Sequence, residues 1–395
     1  MGSREVAARY TMHARGRAAN DFSWRQAAGF RLTRHHFLTA KNPGVTAICR
    51  DICGMQAQIM AAARIGLWTR VHATKPEDLH AALWEKRTLL KTHSMRRTLH
   101  FLPSSDFPIY QKALRTSRMN ALLRVMARFG LSQKDAEALN SSLLEALTGG
   151  TTRNPKFMTR NELTAWLRPG AGRNLRAWMD RVSNIFVPAL TEGLICYGPD
   201  QGQEVTFVRM DRWLENSVFT RTEELEAQRI LLQWYLAAYG PANLQDFSKW
   251  SGIPIRDARP VWNALEDELS KITVEGNKAW ILRRDFDALA ESGFDQPMVR
   301  LLAHFDPLLL AHAEKDHLIE EEYKKRVYRN QGWITPVVLV NGTIAGIWNH
   351  TTTGKTLQVA IEPFKRLSKK IQMLIRDEAA GLGQFLGREV HVSFQ

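Results

Sequence analysis

The chain has 395 residues, a hydrophobic fraction of 44% and a formal net charge of +14. This length and composition predict a soluble globular protein of two to four domains. No apolar run approaches the roughly 18 to 20 residues that span a bilayer, and the N-terminus lacks the apolar stretch of a secretory signal, so we expect no membrane segment.

Cysteine content indicates the cellular compartment of the protein, and charge indicates the class of molecule that it binds. Only three cysteines occur, Cys49, Cys53 and Cys196, and they form no disulfide framework, which favours a reducing cytoplasm. The excess of Lys and Arg indicates a polyanionic partner such as nucleic acid. From charge alone, a basic protein without a specific partner is an equally good reading.

The first part of the chain predicts an arm followed by a helical unit. Residues 1–23 are interpreted as a basic flexible arm. Residues 25–40 and 45–65 are typical of helices separated by the turn Lys41-Asn42-Pro43-Gly44. A further helix is predicted from Pro76 through His93, followed by a short strand over MRRTLHFL. Helices that precede a strand or hairpin are typical of a winged helix, here assigned to residues 24–130.

The same pattern recurs twice. In residues 131–220, a helix opens at Thr159, a longer one covers LRAWMDRVSNIFVPALTEGLI, and a hairpin turns around GPDQG. In residues 221–293, three helices precede a hairpin that turns at Gly276-Asn277. The repeat is one of architecture and not of alignable sequence.

The C-terminal residues 294–395 have a different character. Short β-rich runs are separated by turns at Asn341-Gly342 and Thr353-Gly354-Lys355, and a basic amphipathic helix precedes a last strand. The sequence therefore predicts an α+β fold with three tandem winged helix-turn-helix units and a C-terminal β-barrel-like domain.

Most catalytic devices are missing from the sequence. It contains neither a phosphate-binding loop nor a zinc-protease motif, and its C-terminal GLGQFLG lacks the spacing of a dinucleotide fingerprint. Cys49 and Cys53 have no further Cys or His pair nearby to complete a tetrahedral site. We therefore expect no cofactor and no metal.

A pair of amides, Gln56 and Gln58, lies in the apolar stretch GMQAQIM. On a helix, two residues at this spacing point about 200° apart, whereas in an extended segment they point the same way. Gly54 would allow the chain to leave the helix before the pair. Two parallel amides could hold one water or one ribose. The spacing alone favours another role, in which both side chains satisfy backbone groups of an interhelical loop.

A second constellation is the stretch HSMRRTLH. Arg96 and Arg97 could straddle phosphates, while Thr98 and His100 would alternate onto one strand face and line a cleft. A solvated basic strand without a ligand explains these residues equally well.

Several blocks, taken in order, carry a family resemblance. GMQAQ and ARIGLWTRV precede LHAALWEKRTLLKTHSMRRTLH, and HFDPLLLAH precedes YKKRVYRNQGWITPVVLVNGTIAGIW. Together they resemble the AlkZ/YcaQ family of bacterial DNA glycosylases from about residue 25 onward. Two departures are the small Ala57 inside the motif and Arg96-Arg97-Thr98 in place of Arg-Gly-Thr.

This resemblance implies a fold and an activity. The family combines tandem winged helices with a C-terminal β-barrel and excises bulky or cationic N-alkylated purines, including some interstrand crosslinks. Its motif is Gln-x-Gln or Gln-x-Asp, so Gln56 and Gln58 become the expected catalytic residues of a monofunctional, monomeric enzyme on double-stranded DNA. The candidate DNA contacts are Arg64, Arg70, His93, Arg96, Arg97, Thr98 and His100.

Amides suffice for this chemistry because an N7-alkylated guanine leaves as a neutral base. We expect Gln58 to orient the attacking water and Gln56 to contact the deoxyribose or the other side of the water. Two other readings stay open: a non-catalytic winged-helix DNA-binding protein such as a transcription regulator, and a resistance enzyme dedicated to one genotoxin.

Overall fold

The computed structural model describes residues 20–38, 42–214 and 221–395. Residues 1–19 of the expected arm and Lys41 of the expected turn lie outside this part of the chain. Within the described residues, no helix has both the length and the apolar composition needed to cross a membrane.

The described chain is a mixture of helices and short strands. The helices span Trp24–Arg34, Val45–Asp51, Met60–Arg70, Pro76–His80, Phe107–Ala127, Gln133–Ala146, Arg160–Leu167, Arg173–Arg181, Val187–Glu192, Met210–Trp213, Glu224–Tyr239, Leu244–Ser251, Ile255–Asn263, Phe286–Ala290, Pro307–Leu310, Lys324–Val327 and Lys369–Leu386. The strands are β1 (Asp21–Phe22), β2 (Met55–Gln56), β3 (Leu89–His93), β4 (Leu99–Pro103), β5 (Met158–Thr159), β6 (Ile195–Tyr197), β7 (Thr206–Arg209), β8 (Leu269–Val274), β9 (Asn277–Leu282), β10 (Val299–Leu302), β11 (Val337–Val340), β12 (Thr343–Thr353), β13 (Thr356–Pro363) and β14 (Glu389–Phe394).

Local capping explains where several of these helices begin. Ser132, Thr159 and Asn243 each accept a hydrogen bond from the backbone N–H three residues later. The acidic residue at that third position bonds back to the backbone of the capping residue. Each of these capping boxes satisfies two N–H groups that the first helical turn leaves free.

A six-stranded sheet, ordered β2-β4-β3-β6-β7-β5, joins the first two predicted hairpins. The junction is the pairing of Lys91 on β3 with Tyr197 on β6. In each half of this sheet, the strand that comes first in the chain pairs with the second strand of the hairpin that follows it. These pairs are β2 with β4, and β5 with β7. A third hairpin, β8–β9, repeats this order through a single bridge between Ala242 and Trp280.

The C-terminal part, expected to be barrel-like, contains an open five-stranded sheet. Its strands run β10-β11-β12-β13-β14, and the two outer strands do not pair with each other. Helices cover its apolar face instead: Ile375 and Leu382 of the last helix pack there with Trp68 of helix Met60–Arg70. Because this cover already removes the face from water, the sheet has no need to close on itself.

Several expected boundaries were wrong. Asp21 and Phe22, placed in the arm, form β1 beside β8 because Phe22 is buried in a cluster with Ile272 and Val274. The helix expected to continue to His93 ends near Glu85, and Leu89–His93 becomes strand β3, paired with β4. The helix expected over 45–65 is interrupted by β2, and the long helix expected over 175–195 is divided in two.

One buried ion pair fixes helix Met60–Arg70 to the C-terminal part. The Arg70 guanidinium donates to both carboxylate oxygens of Asp306, at 2.8 and 2.9 Å, and both side chains are fully buried. Arg70 also donates to the Gly66 carbonyl and lies over the Phe37 ring. Asp306 in turn accepts from the Leu308 N–H at the start of the next helix.

We expect Arg70→Met to lower the free energy of unfolding by about 3–5 kcal/mol, because it leaves the Asp306 carboxylate buried without its cation. Urea denaturation measures this loss. Arg64→Met, on the exposed side of the same helix, is the matched control and changes stability by less than about 0.5 kcal/mol. Equal effects of the two substitutions would contradict the structural role of the pair.

Two buried histidines predict a pH dependence of stability. Burial lowers the pKa of His35 well below its usual value, and Arg70 lowers it further; burial and Arg31 do the same to the pKa of His312. Below about pH 6.5, both histidines bind protons in the unfolded chain but stay neutral in the folded chain. The free energy of unfolding therefore falls as the pH drops.

Between pH 7.5 and 5.5 each such histidine should remove about 1 kcal/mol from the free energy of unfolding. His312→Gln keeps a donor for the Tyr239 carbonyl and should reduce this pH dependence by that amount in urea titrations. His80→Gln removes an exposed imidazole and should leave the pH dependence as it is in the wild type. If the free energy of unfolding depends on pH equally in the two variants, burial does not keep His312 neutral.

Candidate active site

The chain leaves the helix before the amide pair: Met55–Gln56 form the extended strand β2, and Gln58 lies in a bend before the next helix. Helix Val45–Asp51 ends in a turn where Cys53 and Gly54 have φ of 56° and 95°. A Cβ on Gly54 would lie 2.6 Å from the Leu102 side chain, so only glycine fits both the conformation and the space. The chain then enters β2, and the Ala57 N–H donates to the Leu99 carbonyl.

The two amides have different surroundings. Gln56 is only 5% exposed, and its Oε1 accepts a hydrogen bond of 2.9 Å from Nη2 of Arg96. Gln58 is exposed, and no hydrogen bond to its side chain is found in the described part of the chain. Within the described residues, neither amide bonds to a backbone group of an interhelical loop. One amide is held by a cation, and the other is open to solvent.

Arg96 is directed inward, which corrects its assignment as a phosphate contact. Its Nη1 donates to the Trp250 carbonyl at 2.7 Å, while Nη2 holds Gln56. Burial lowers the pKa of Arg96 to about 10, so the guanidinium is still charged at neutral pH. The side chain thus links the first hairpin to the helix Leu244–Ser251 of the third unit.

The backbone of Arg96 fits closely against Gly252. Arg96 and Arg97 have φ of 53° and 64°, and Gly252 follows the helix that supplies the Trp250 carbonyl. A Cβ on Gly252 would lie 3.3 Å from the Arg96 backbone. Trp250 and Gly252 could not be predicted as partners of Arg96, because a contact across 154 residues leaves no local signal in the sequence.

His100 lies directly opposite Gln56 in the β2–β4 pair, so both side chains share one face of the sheet. Its Nδ1 lies 2.9 Å from the Thr98 carbonyl, and burial together with Arg96 lowers its pKa to about 3. Burial and Arg118 lower the pKa of His93 to about 4. Both imidazoles are therefore neutral at physiological pH and are unsuited to donate a proton to a leaving group.

The remaining expected DNA contacts separate into exposed and buried residues. Arg64 and Arg97 are exposed and form no ion pair with the described residues. Arg70 is 2% exposed and His100 also 2%, so burial excludes both as phosphate contacts in this conformation. Thr98 directs its hydroxyl to the Met95 carbonyl. The described residues contain no cluster of three or more side chains suited to hold a metal ion.

A family model described as DNA glycosylase AlkZ-like matches residues 49–385, which is most of the chain. The chain belongs to the AlkZ-like DNA glycosylase family. An interstrand DNA cross-link repair glycosylase of Streptomyces sahachiroi is 26% identical over 373 residues, covering 92% of this chain and 97% of that protein. The solved structure of the Streptomyces sahachiroi DNA glycosylase AlkZ matches with a TM-score of 0.81 at 26% identity, covering 95% of this chain and all of that one.

Membership of this family establishes the AlkZ-like protein as a hydrolase acting on N-glycosyl bonds of DNA. The mixed α+β fold also agrees with that of the AlkZ structure. Arg97 has a φ of 64°, a left-handed backbone conformation that strains any residue with a side chain.

We expect Arg97→Gly to be more stable than Arg97→Gln by roughly 0.5 to 1 kcal/mol, because only glycine adopts a positive φ without strain. Urea denaturation of the two variants measures this difference. Both variants lose the same exposed cation, so their affinities for duplex DNA should fall equally, with a shallower salt dependence than that of the wild type. Equal stabilities would show that the Arg97 backbone carries no strain.

Proposed function

We propose that this AlkZ-like glycosylase hydrolyses the N-glycosidic bond of N7-alkylguanine-type purines in double-stranded DNA, including bulky adducts and interstrand crosslinks. The single observation that carries this proposal is the unequal amide pair: a buried Gln56 held by Arg96 beside an exposed Gln58. The relative from Streptomyces sahachiroi, described as an interstrand cross-link repair glycosylase, supports the lesion class.

The chemistry of the lesion explains why amides are adequate. An N7-alkylated guanine carries a positive charge that already weakens its glycosidic bond, and the base departs neutral. No group has to protonate it, which agrees with a site whose imidazoles keep low pKa values. The remaining tasks are to place a water against C1′ and to stabilise a sugar with oxocarbenium character.

Gln58 is the residue proposed to hold this water. Its carbonyl oxygen is an acceptor that no protein donor occupies in the described part of the chain. An amide oxygen beside C1′ can accept one hydrogen of the water and stabilise positive charge on the sugar.

DNA binding is assigned to the exposed arginines. Arg64 follows the amide pair on the next helix, and Arg97 lies at the tip of the β3–β4 hairpin. A net charge of +14 supports contact with a polyanion. We propose that the three repeated strand orders are winged helices, within the units 24–130, 131–220 and 221–293, and that the enzyme acts as a monomer in the cytoplasm.

We expect Gln58→Ala to lower the single-turnover release of N7-methylguanine from a duplex by about 10²- to 10³-fold, the effect of removing one preorganised polar group. DNA affinity should change less than twofold. Gln133→Ala, an exposed glutamine on another helix, is the matched control and should keep the wild-type rate.

The same assay separates this proposal from its alternative. A duplex containing uracil, which lacks the built-in positive charge, should release no base. If the wild type binds DNA but releases no alkylated base of any size, the chain is a winged-helix DNA-binding protein without this activity. If Gln58→Ala keeps the wild-type rate, the water is held elsewhere.

A further inference from the structure

The orientation of the Gln56 amide follows from the chemistry of its partner. Arg96 carries only donors, so the atom of Gln56 that lies 2.9 Å from Nη2 must be the carbonyl oxygen. Exchanging the amide oxygen and nitrogen would place two N–H groups against each other. The oxygen of Gln56 is therefore committed to Arg96, and its NH2 group lies on the other side of the amide.

That NH2 group has no hydrogen-bond partner in the described part of the chain, although Gln56 is only 5% exposed. It does not belong to the fully buried polar atoms without a partner, so the NH2 group keeps some contact with solvent. A side chain that is fixed at one end and free at the other is therefore suited to meet an acceptor that arrives with the substrate. Two residues further along, Gln58 is exposed and can present either end of its amide.

Building on the proposed function, we infer that Arg96 is a positioning residue that commits Gln56 to donate a hydrogen bond to the attacking water, while Gln58 accepts one from it. This division gives the two amides opposite roles toward the same water. It also assigns the inward-facing Arg96 a task that phosphate binding does not require.

The assignment accounts for every valence of the water. One lone pair accepts from the NH2 of Gln56, and one hydrogen is donated to the carbonyl oxygen of Gln58. The second lone pair forms the new C1′–O bond. As the C1′–N9 bond breaks, its electron pair passes to the purine and cancels the positive charge of the ring. The second hydrogen of the water, which no protein group holds in this assignment, leaves to solvent as a proton once the C1′–O bond has formed.

The position of Arg96 is itself determined by the third unit. Its Nη1 is bonded to the Trp250 carbonyl, and its backbone lies against Gly252, so the guanidinium cannot follow Gln56 if the amide turns. A fixed guanidinium selects one of the two amide orientations. Without it, Gln56 would be free to direct its oxygen at the water and to compete with Gln58.

Glutamate substitutions at the two positions test the inference. In Gln56→Glu, the carboxylate still accepts from Arg96 but cannot donate, so the single-turnover rate on N7-methylguanine should fall about 10- to 100-fold. Gln58→Glu adds the same charge two residues away, where only an acceptor is required, and should be at least 10-fold faster than Gln56→Glu. DNA affinity, measured in parallel, separates charge repulsion from catalysis.

A double-mutant cycle tests the link through Gln56. Arg96→Met alone should slow the reaction about 10- to 100-fold, whereas in a Gln56→Ala background it should cause no further loss, because Arg96 acts through that amide. Arg96→Lys keeps one donor and should restore part of the rate. Urea denaturation of each variant identifies any loss that comes from unfolding, which would persist in the Gln56→Ala background.

The possible results are distinct. If Gln56→Glu retains the wild-type rate, Gln56 serves as an acceptor and the inference is overturned while the proposed function stands. If the effects of Arg96→Met and Gln56→Ala multiply, Arg96 acts independently of the amide and the positioning role is wrong. If the wild type itself releases no N7-methylguanine, the proposed function fails before the inference is reached.

Discussion

The ion pair between Arg70 and Asp306 is the constraint on which the rest of the structure depends. Helix Met60–Arg70 begins two residues after Gln58, and its last residue is fixed by a bidentate pair inside the protein. A charge pair without access to water is tolerated only when its geometry satisfies both partners. The pair therefore fixes both the distance and the direction at which the amide segment meets the C-terminal sheet.

A second constraint acts through Arg96, which links the tip of the first hairpin to helix Leu244–Ser251 through the Trp250 carbonyl. One of these arginines ends the helix that follows the amide segment, and the other bonds directly to Gln56 from the hairpin. Both direct their guanidinium groups to partners within the protein. In this protein a strongly basic composition contributes to internal architecture as well as to attraction of a polyanion.

Local signals in the sequence predicted much of this arrangement. The break of the helix at Gly54 and the hairpin turns at Gly276-Asn277 and Asn341-Gly342 all follow from residues that permit only a few backbone conformations. The segment Leu89–His93 was expected to be helical because its leucines fit the apolar stripe of a helix. It is a strand because it pairs with β4 on one side and with β6 on the other.

Contacts between residues far apart in the sequence could not be predicted from local sequence patterns. Arg70 and Arg96 look like solvent-exposed cations in the sequence, and only their partners at Asp306 and Trp250 reveal that they face inward. The merging of two hairpins into one sheet likewise depends on a single cross-strand pair. The C-terminal turns and strands were predicted correctly, yet whether a sheet closes depends on the helices that cover it.

The large sequence separation of these contacts determines when they can form during synthesis. Arg96 meets a partner 154 residues downstream, and Arg70 meets one 236 residues downstream. The amide segment is synthesised early, but neither of its anchors exists until most of the chain has left the ribosome. Because such distant contacts form late, catalytic geometry is among the last properties that the folding chain acquires. Any part of the chain that ends before Asp306 therefore lacks the ion pair that holds the helix following the amide segment.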